Sequence, residues 1–155
     1  MLIRNARPDD IPALFALLRQ VEEVHHTGRP DLFRDGGVKY TPAQLAGILQ
    51  DENRPVFVAE TAEGVKGYAF CLFRQQLNDT CMTDIKTLYI DDLCVDENCR
   101  GQGIGRALYE YVVSFAWKSG CYNITLNVWC LNTGAMQFYE KCGLVPQKIG
   151  MEKVL

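Results

Sequence analysis

The chain has 155 residues, 48% of them hydrophobic, with a formal net charge of −3 and a pI near 5.4. That is long enough for one domain with a real core and short for two, so residues 1–155 are expected to form a single unit. No dense Lys/Arg run marks a nucleic-acid surface, no window approaches the ~20 apolar residues of a membrane span, and Met1-Leu-Ile-Arg-Asn5 carries no signal-peptide core; these features predict a cytoplasmic protein that binds neither nucleic acid nor membrane.

Leu2-Ile3-Arg4 reads as a first strand. Pro8-Asp9-Asp10 opens a helix, with Pro in the first turn, acids at the positive end of the dipole, and Ile11, Leu14, Leu18 and Val21 as the buried stripe. Glu23 to Gly37, which holds His25, His26 and Arg29, is polar and irregular and reads as a connection. Thr41-Pro42-Ala43-Gln44 is a capping box with Pro at N1, starting a short helix through Leu45, Ile48 and Leu49. Val56 to Ala59 and Val65 to Phe73 form a hairpin around Ala62-Glu63-Gly64, and Gln75 to Thr83 is a loop. Leu88 to Val95 is a β-rich strand, apolar apart from Asp91 and Asp92. On a regular strand these two acids point to opposite faces; a bulge would turn both into one cleft.

The loop Arg100-Gly101-Gln102-Gly103-Ile104-Gly105 comes next, and a helix follows at once with Ile104, Ala107, Leu108, Tyr111, Val112 and Phe115 on one face and Gly120 at its end. Glycines at alternate positions let successive backbone N–H groups approach a ligand, and a helix N-terminus favours an anion. Arg100 and Arg106 add positive charge, so a phosphate or pyrophosphate is the simplest ligand. The spacing matches neither the P-loop string nor the Rossmann fingerprint, whose third glycine is replaced by Arg106. Asn123 to Trp129 is a further strand. Asn132 caps a helix bearing Ala135, Met136, Phe138, Tyr139 and Cys142, stopped by Gly143, and Gln147 to Leu155 fits a last strand. The order predicts an α/β fold with a mixed sheet of about six strands between about four helices in three layers, the strands at 88–95 and 123–129 running parallel through a crossover helix. The 7 cysteines form no C-x-x-C pair and read as reduced, mostly buried thiols, and no Cys/His spacing suits zinc.

What remains of the loop pattern is R-x-x-G-x-G, on Arg100, Gly103 and Gly105 after Leu93-Cys94-Val95. It resembles the acyl-CoA pyrophosphate loop of the GCN5-related N-acetyltransferases (GNAT). Leu126-Asn-Val-Trp-Cys-Leu-Asn132, then Ala135-Met-Gln-Phe-Tyr139 and Cys142-Gly-Leu144, is similar to that family's second signature: a strand, an Asn opening a helix, then Ala and a Phe-Tyr pair before a glycine stop. The two stand roughly 25–30 residues apart, as one βαβ unit requires. Tyr89-Ile90-Asp91-Asp92-Leu93-Cys94-Val95 and the glycine loop look similar to the diamine (spermidine/spermine) branch.

The resemblance implies a GNAT-like fold in a homodimer, with acetyl-CoA as cosubstrate and no metal. It implies direct transfer of acetyl, in a ternary complex, to the primary amine of a polyamine-like small molecule, an amino acid or a peptide. The backbone of Leu93, Cys94 and Val95 would meet the pantetheine arm and thioester carbonyl. N–H groups from Arg100, Gly101, Gln102, Gly103, Ile104, Gly105 and Arg106 would hold the pyrophosphate. Asn132 would contact the pantetheine, and Tyr139 would protonate the departing thiolate. An amine attacks only when neutral, so a base is needed; Asp91 and Asp92 are the nearest candidates, although the family's usual residue at the first position is Glu. Acceptor contacts are expected from His25, His26, Arg29, Asp91 and Asp92. Structural readings stand beside these: Asn132 as a helix cap, Tyr139 as core, His25 and His26 as surface residues, and Cys94 as strand packing rather than a nucleophile. A non-catalytic acetyl-CoA-binding regulatory or adaptor domain is the other class that fits the same loop.

Overall fold

Alternate side chains of the hairpin strands go to opposite faces, and helices cover both. The structure is a computed structural model that describes residues 1–155. Its five strands form one sheet in the order β1 (Leu2–Asn5), β2 (Val56–Thr61), β3 (Gly64–Gln75), β4 (Lys86–Val95) and β5 (Asn123–Leu126). The first four are antiparallel neighbours, whereas β5 runs parallel to β4 because α3 (Ile104–Lys118) carries the chain back across the sheet. On one face Phe57, Ala59, Ala69, Cys71, Leu88 and Ile90 pack under Ile104, Leu108, Val112 and Ala116 of α3. On the other, Val56, Val58, Tyr68, Phe70 and Cys94 meet Leu14, Leu17 and Leu18 of α1 (Ile11–Gly28) and Leu45 and Ile48 of α2 (Pro42–Ile48). Each of the larger side chains buried here contributes about 1.5–3 kcal/mol. The last helix, α4 (Thr133–Lys141), lays Phe138 and Tyr139 against the α3 layer.

Polar locks set the helix starts. Asp10 is buried and takes two bonds from the Arg4 guanidinium, at 2.7 and 2.9 Å, plus the Arg7 N–H at 2.7 Å. The bonds from Arg4 hold this carboxyl below the usual carboxylate range and tie the entrance of α1 to β1. The capping box forms as read, Gln44 N–H donating to Thr41 Oγ1 and Thr41 N–H to Gln44 Oε1.

Three boundaries differ from the sequence reading. Helix α1 continues through Gly28, so His25 and His26 lie on its last turns and not in a loop. No glycine or proline interrupts residues 13–27, and the i,i+3 pair Glu22–His25 sits on one helix face. Strand β5 stops at Leu126 rather than Trp129. No sixth strand forms: residues 142–155 have no regular structure, the sheet has five strands, and Val145, Ile149, Met151, Val154 and Leu155 are exposed. Pro146 just before Gln147 to Leu155 and Gly150 within it lower the strand propensity of this segment.

The feature that positions the site is a register shift between β3 and β4. Phe70 faces Asp92 while Cys71 faces Ile90, which leaves Asp91 as the extra residue of a β-bulge. The bulge inverts the alternation: Leu88 and Ile90 belong to the α3 face, yet Cys94 belongs to the α1 face and Leu93 and Val95 pack toward α3. Pairing with β5 ends at the same level, with Ile90 opposite Leu126. Beyond it the two parallel strands part, and β4 from Asp91 to Val95 has no partner on that side.

Candidate active site

The bulge turns both acids toward the α1 and α2 side, into different surroundings. Asp91 accepts from Tyr40 Oη at 2.6 Å, and Lys39 Nζ stands 3.1 Å from the same carboxyl oxygen. Lys39 also donates to the Asp91 carbonyl at 2.8 Å, and Arg54 donates to Tyr40 Oη at 2.9 Å. Burial, then the bond to Asp91, push the Tyr40 phenol upward, so it remains a donor. Asp91 is thus tied down by a cation and a phenol. Asp92 takes one protein bond, from Tyr68 Oη at 2.9 Å. It keeps some surface exposure in a narrow cleft, yet its carboxyl is enclosed closely enough for burial to raise its pKa, against the opposing pull of Lys39 and Tyr68.

Cys94 lies buried on the α1 face, its thiol 3.9 Å from the Leu17 carbonyl, and burial pushes it up to about 12. A thiol held neutral is a weak nucleophile. Beyond the end of β5, the backbone groups of Leu93 and Val95 turn to the open edge of β4 while those of Cys94 face β3, so the edge can pair with an extended amide-bearing ligand.

The glycine loop follows a short turn at Glu97–Cys99 and enters α3 through Gly103 as its N-cap. Gly101 and Gly103 have φ of 76° and 80°, the left-handed region open to glycine at little cost. The N–H groups of residues 101–106 donate to no other backbone group, since the first backbone bond into the helix is Ala107 N–H to the Gly103 carbonyl at 3.0 Å. Unpaired donors at the positive end of a 15-residue helix fit a pyrophosphate. The open β4 edge leads from this loop toward Asp92, so the residues present suit an acyl-CoA: pyrophosphate on the loop, pantetheine along the edge. Arg106 instead pairs with Glu110 at 2.7 Å, exposed on α3.

Across the cleft, Asn132 caps α4, its Oδ1 accepting the Ala135 N–H at 3.1 Å. Tyr139 packs edge-on against Phe138 with centroids 5.0 Å apart and against Tyr109 at 6.5 Å. Burial, then the charge of Asp92, push its phenol up, which keeps a proton on it. Between the end of α1 and the β5–α4 segment lies a small, mostly apolar pocket of about 40 Å³ lined by His25, Phe33, Trp129, Leu131 and Asn132 among others. His25 and Asn132 meet there. His26 does not join them, because its Nδ1 lies 2.8 Å from the Phe33 carbonyl. Arg29 lines the pocket, yet its guanidinium is engaged by Asp31 and Glu152 at 2.7 and 2.8 Å.

Sequence reasoning missed Tyr40, Tyr68, Lys39 and the Phe33–Trp129 pair. Tyr68 acts through cross-strand register, and Lys39 and Tyr40 act from the segment just before α2, placements for which the sequence carries no local signal. The Glu22–His25 spacing was readable as an i,i+3 pair once α1 is extended. No group of three or more His, Cys, Asp or Glu side chains is placed to hold a metal, and no helix is long and apolar enough to cross a membrane.

Comparison with known proteins places this geometry. A model of the acetyltransferase (GNAT) family matches residues 16–144. A glucosamine 6-phosphate N-acetyltransferase of Arabidopsis thaliana is 34% identical over 68 residues, covering 44% of this chain and 44% of the relative, so the match spans less than half of that protein. A thialysine N-epsilon-acetyltransferase of Bos taurus is 24% identical over 151 residues, covering 92% of this chain and 83% of the relative. The crystal structure of a Bacillus halodurans protein superposes with a TM-score of 0.96 at 34% identity, covering 100% of this chain and 99% of that one.

Proposed function

The chain belongs to the acetyltransferase (GNAT) family, and from that premise we propose that residues 1–155 form one acetyl-CoA-dependent N-acetyltransferase domain whose acceptor is a small cationic primary amine, polyamine-like in chemistry. The observation that carries the reading is the parting of β4 and β5 beyond Ile90 and Leu126, beside unpaired loop N–H groups and below Asp92. Bound acetyl-CoA supplies the activated acetyl group as a thioester. The loop from Arg100 through Gly101, Gln102, Gly103, Ile104 and Gly105 to Arg106 grips its pyrophosphate. The backbone of Leu93 and Val95 pairs with the pantetheine and orients the thioester carbonyl. Asn132, with its Oδ1 given to the cap, offers Nδ2 to the same arm. Tyr139 keeps its proton until the thiolate departs and then donates it.

The acceptor side is acidic where it is free and basic where it is tied. Asp92 is an enclosed carboxyl with one phenolic donor, suited to an ammonium group. Asp91 is neutralised by Lys39 and fixes the bulge, and Arg29 is neutralised by Asp31 and Glu152. Little free cationic charge remains for a carboxylate of the acceptor, which favours diamines over amino acids. The name of the thialysine relative places acetyl on a side-chain amine, though that of an amino acid and not of a diamine. We further propose a cytoplasmic homodimer.

The test is release of CoA thiol with spermidine, with lysine and with a neutral primary amine of similar length, at low and high salt. Spermidine should be preferred, and high salt should erode that preference. Equal turnover of the neutral amine, with the spermidine KM unchanged in Asp92→Asn, would remove the cation site. Acetyl-CoA binding without thiol release from any amine would favour the regulatory alternative.

A further inference from the structure

One polar atom near the cleft stands in a state that calls for an explanation. His25 Nδ1 is enclosed by protein and has no hydrogen-bond partner. Buried polar groups are almost always paired, and an exception points to a role outside simple folding. One turn back on the same helix face, Glu22 Oε2 stands 3.8 Å from that nitrogen, and the two side chains are 12% and 22% exposed for Glu22 and His25. The gap is too long for a hydrogen bond and short enough to close with a small rotation of Glu22.

The ring's orientation is set by packing. Phe33 stacks on it at 4.9 Å between centroids, and Trp129 meets Phe33 edge-on at 5.4 Å. Phe33 is held in turn by the contact of its carbonyl with His26. With Nδ1 turned to Glu22, the other nitrogen, Nε2, is the one left for the pocket that His25 shares with Asn132. The charged groups around the ring are few. Its own helix supplies Glu22 and, at its end, Arg29, which is bound to Asp31 and to Glu152 of the tail. Strand β4 supplies Asp92, whose carboxyl feels the charges of both Lys39 and His25. The segment before α4 contributes Trp129, Leu131 and Asn132, none of which titrates.

We propose that His25 is the general base of the acetyl transfer, oriented by Glu22. The proposal rests on the N-acetyltransferase reading and adds to it the group that makes the acceptor nucleophilic. The acceptor's ammonium gives one proton to His25 Nε2, while Glu22 accepts the hydrogen bond from Nδ1–H and stabilises the imidazolium. The neutral nitrogen attacks the thioester carbonyl carbon, a C–N bond forms and the C–S bond breaks. The thiolate takes the Tyr139 proton, the second proton of the acceptor nitrogen returns to the Tyr139 phenolate, and His25 releases its own to solvent. The net change is ammonium and thioester to amide, thiol and one proton.

The two β4 acids suit the task less well. Asp91 already accepts from Tyr40 and Lys39; Asp92 accepts from Tyr68 and, in the acceptor reading above, is taken up by the distal ammonium, although burial raises its carboxyl and makes it the competing base. Imidazole is the side chain whose ordinary titration lies nearest neutral pH, the best match for proton abstraction there. A long apo distance such as that from Glu22 to His25 is usual for catalytic hydrogen bonds before substrate binds.

The experiment uses the full chain with acetyl-CoA and two acceptors: spermidine, and trifluoroethylamine, which is already neutral at the assay pH. For spermidine, His25→Gln should lower kcat by about 10²-fold or more, the low end for a positioned base, and should abolish the acidic limb of the kcat/KM profile. Added imidazole should restore part of the rate. For trifluoroethylamine the loss should be under about tenfold, since no proton needs removing before attack. Glu22→Gln, nearly isosteric, should lower spermidine kcat by about tenfold with acetyl-CoA affinity unchanged, and serves if His25→Gln does not fold. A spermidine kcat unchanged in either variant, equal losses with both amines, or a loss confined to KM would overturn the assignment. So would disappearance of the acidic limb in Asp92→Asn and not in His25→Gln. Absence of amine-dependent thiol release from the wild type would instead overturn the acetyl-transfer reading itself.

Discussion

The glycine loop offers the sharpest test, because strain and ligand approach can be separated at Gly103. Its φ is 80°, and a Cβ built there meets no atom within 4 Å. A side chain therefore fits sterically in the free protein, and only the backbone angle resists it. For a β-branched residue the left-handed region costs roughly 1–2 kcal/mol. At this chain length each kcal/mol lowers the unfolding midpoint by about 2–4 °C, so Gly103→Val should lose roughly 2–8 °C and remain folded. Gly103→Asn tolerates the same angle and should lose less. Both variants put side-chain atoms where pyrophosphate must meet the N–H groups, and acetyl-CoA affinity should fall at least about tenfold, ~1.4 kcal/mol, in each. Gly105→Val is the poorer probe: its Cβ would sit 3.4 Å from Val95 and 3.6 Å from Phe138, so added methyls disturb the packing of α3 against α4. Calorimetric titration with acetyl-CoA and with S-acetylpantetheine, which lacks the pyrophosphate, is the decisive assay. Loss for acetyl-CoA alone supports the loop. Unchanged acetyl-CoA affinity in folded Gly103→Asn, or equal loss for S-acetylpantetheine, refutes it.

Tyr139→Phe should lower kcat by about 10²-fold, the low end for a lost acid because a CoA thiol titrates near about 8.5, with acetyl-CoA affinity unchanged; equal kcat would return Tyr139 to a packing role. Burial raises the Asp92 pKa, so this group's contribution to stability is fully present below the ordinary carboxyl value of about 4 and is lost as pH rises through the raised one. Asp92→Asn keeps an acceptor for Tyr68 and removes the titration: its unfolding midpoint should match the wild type in acid and exceed it at neutral pH, and a pH-independent difference would contradict this. Intact-mass analysis after incubation with acetyl-CoA alone should find no acetyl group on Cys94, whose thiol burial keeps protonated; a trapped acetyl-cysteine would reverse that statement.

The sequence by itself determined the elements whose signals are local. The capping box at Thr41, the glycine loop entering α3 and Asn132 at the start of α4 were legible because each is fixed by residues within one turn of chain. The two-faced core was legible because the near-continuous apolar runs Val56–Ala59 and Tyr68–Phe73, with no polar alternate positions, are a local pattern that demands cover on both faces. Tertiary structure decided what depends on pairing across the sheet. The bulge at Asp91 exists only in the register of β4 against β3, and it sends both acids to one face when strand periodicity alone sends them to two. The separate fates of Asp91 and Asp92 follow from Lys39, Tyr40 and Tyr68, which are far away in sequence. The tail shows the converse. Its apolar residues suggest a strand, but a strand needs a neighbour with free backbone groups aligned to it, and no periodicity encodes that alignment.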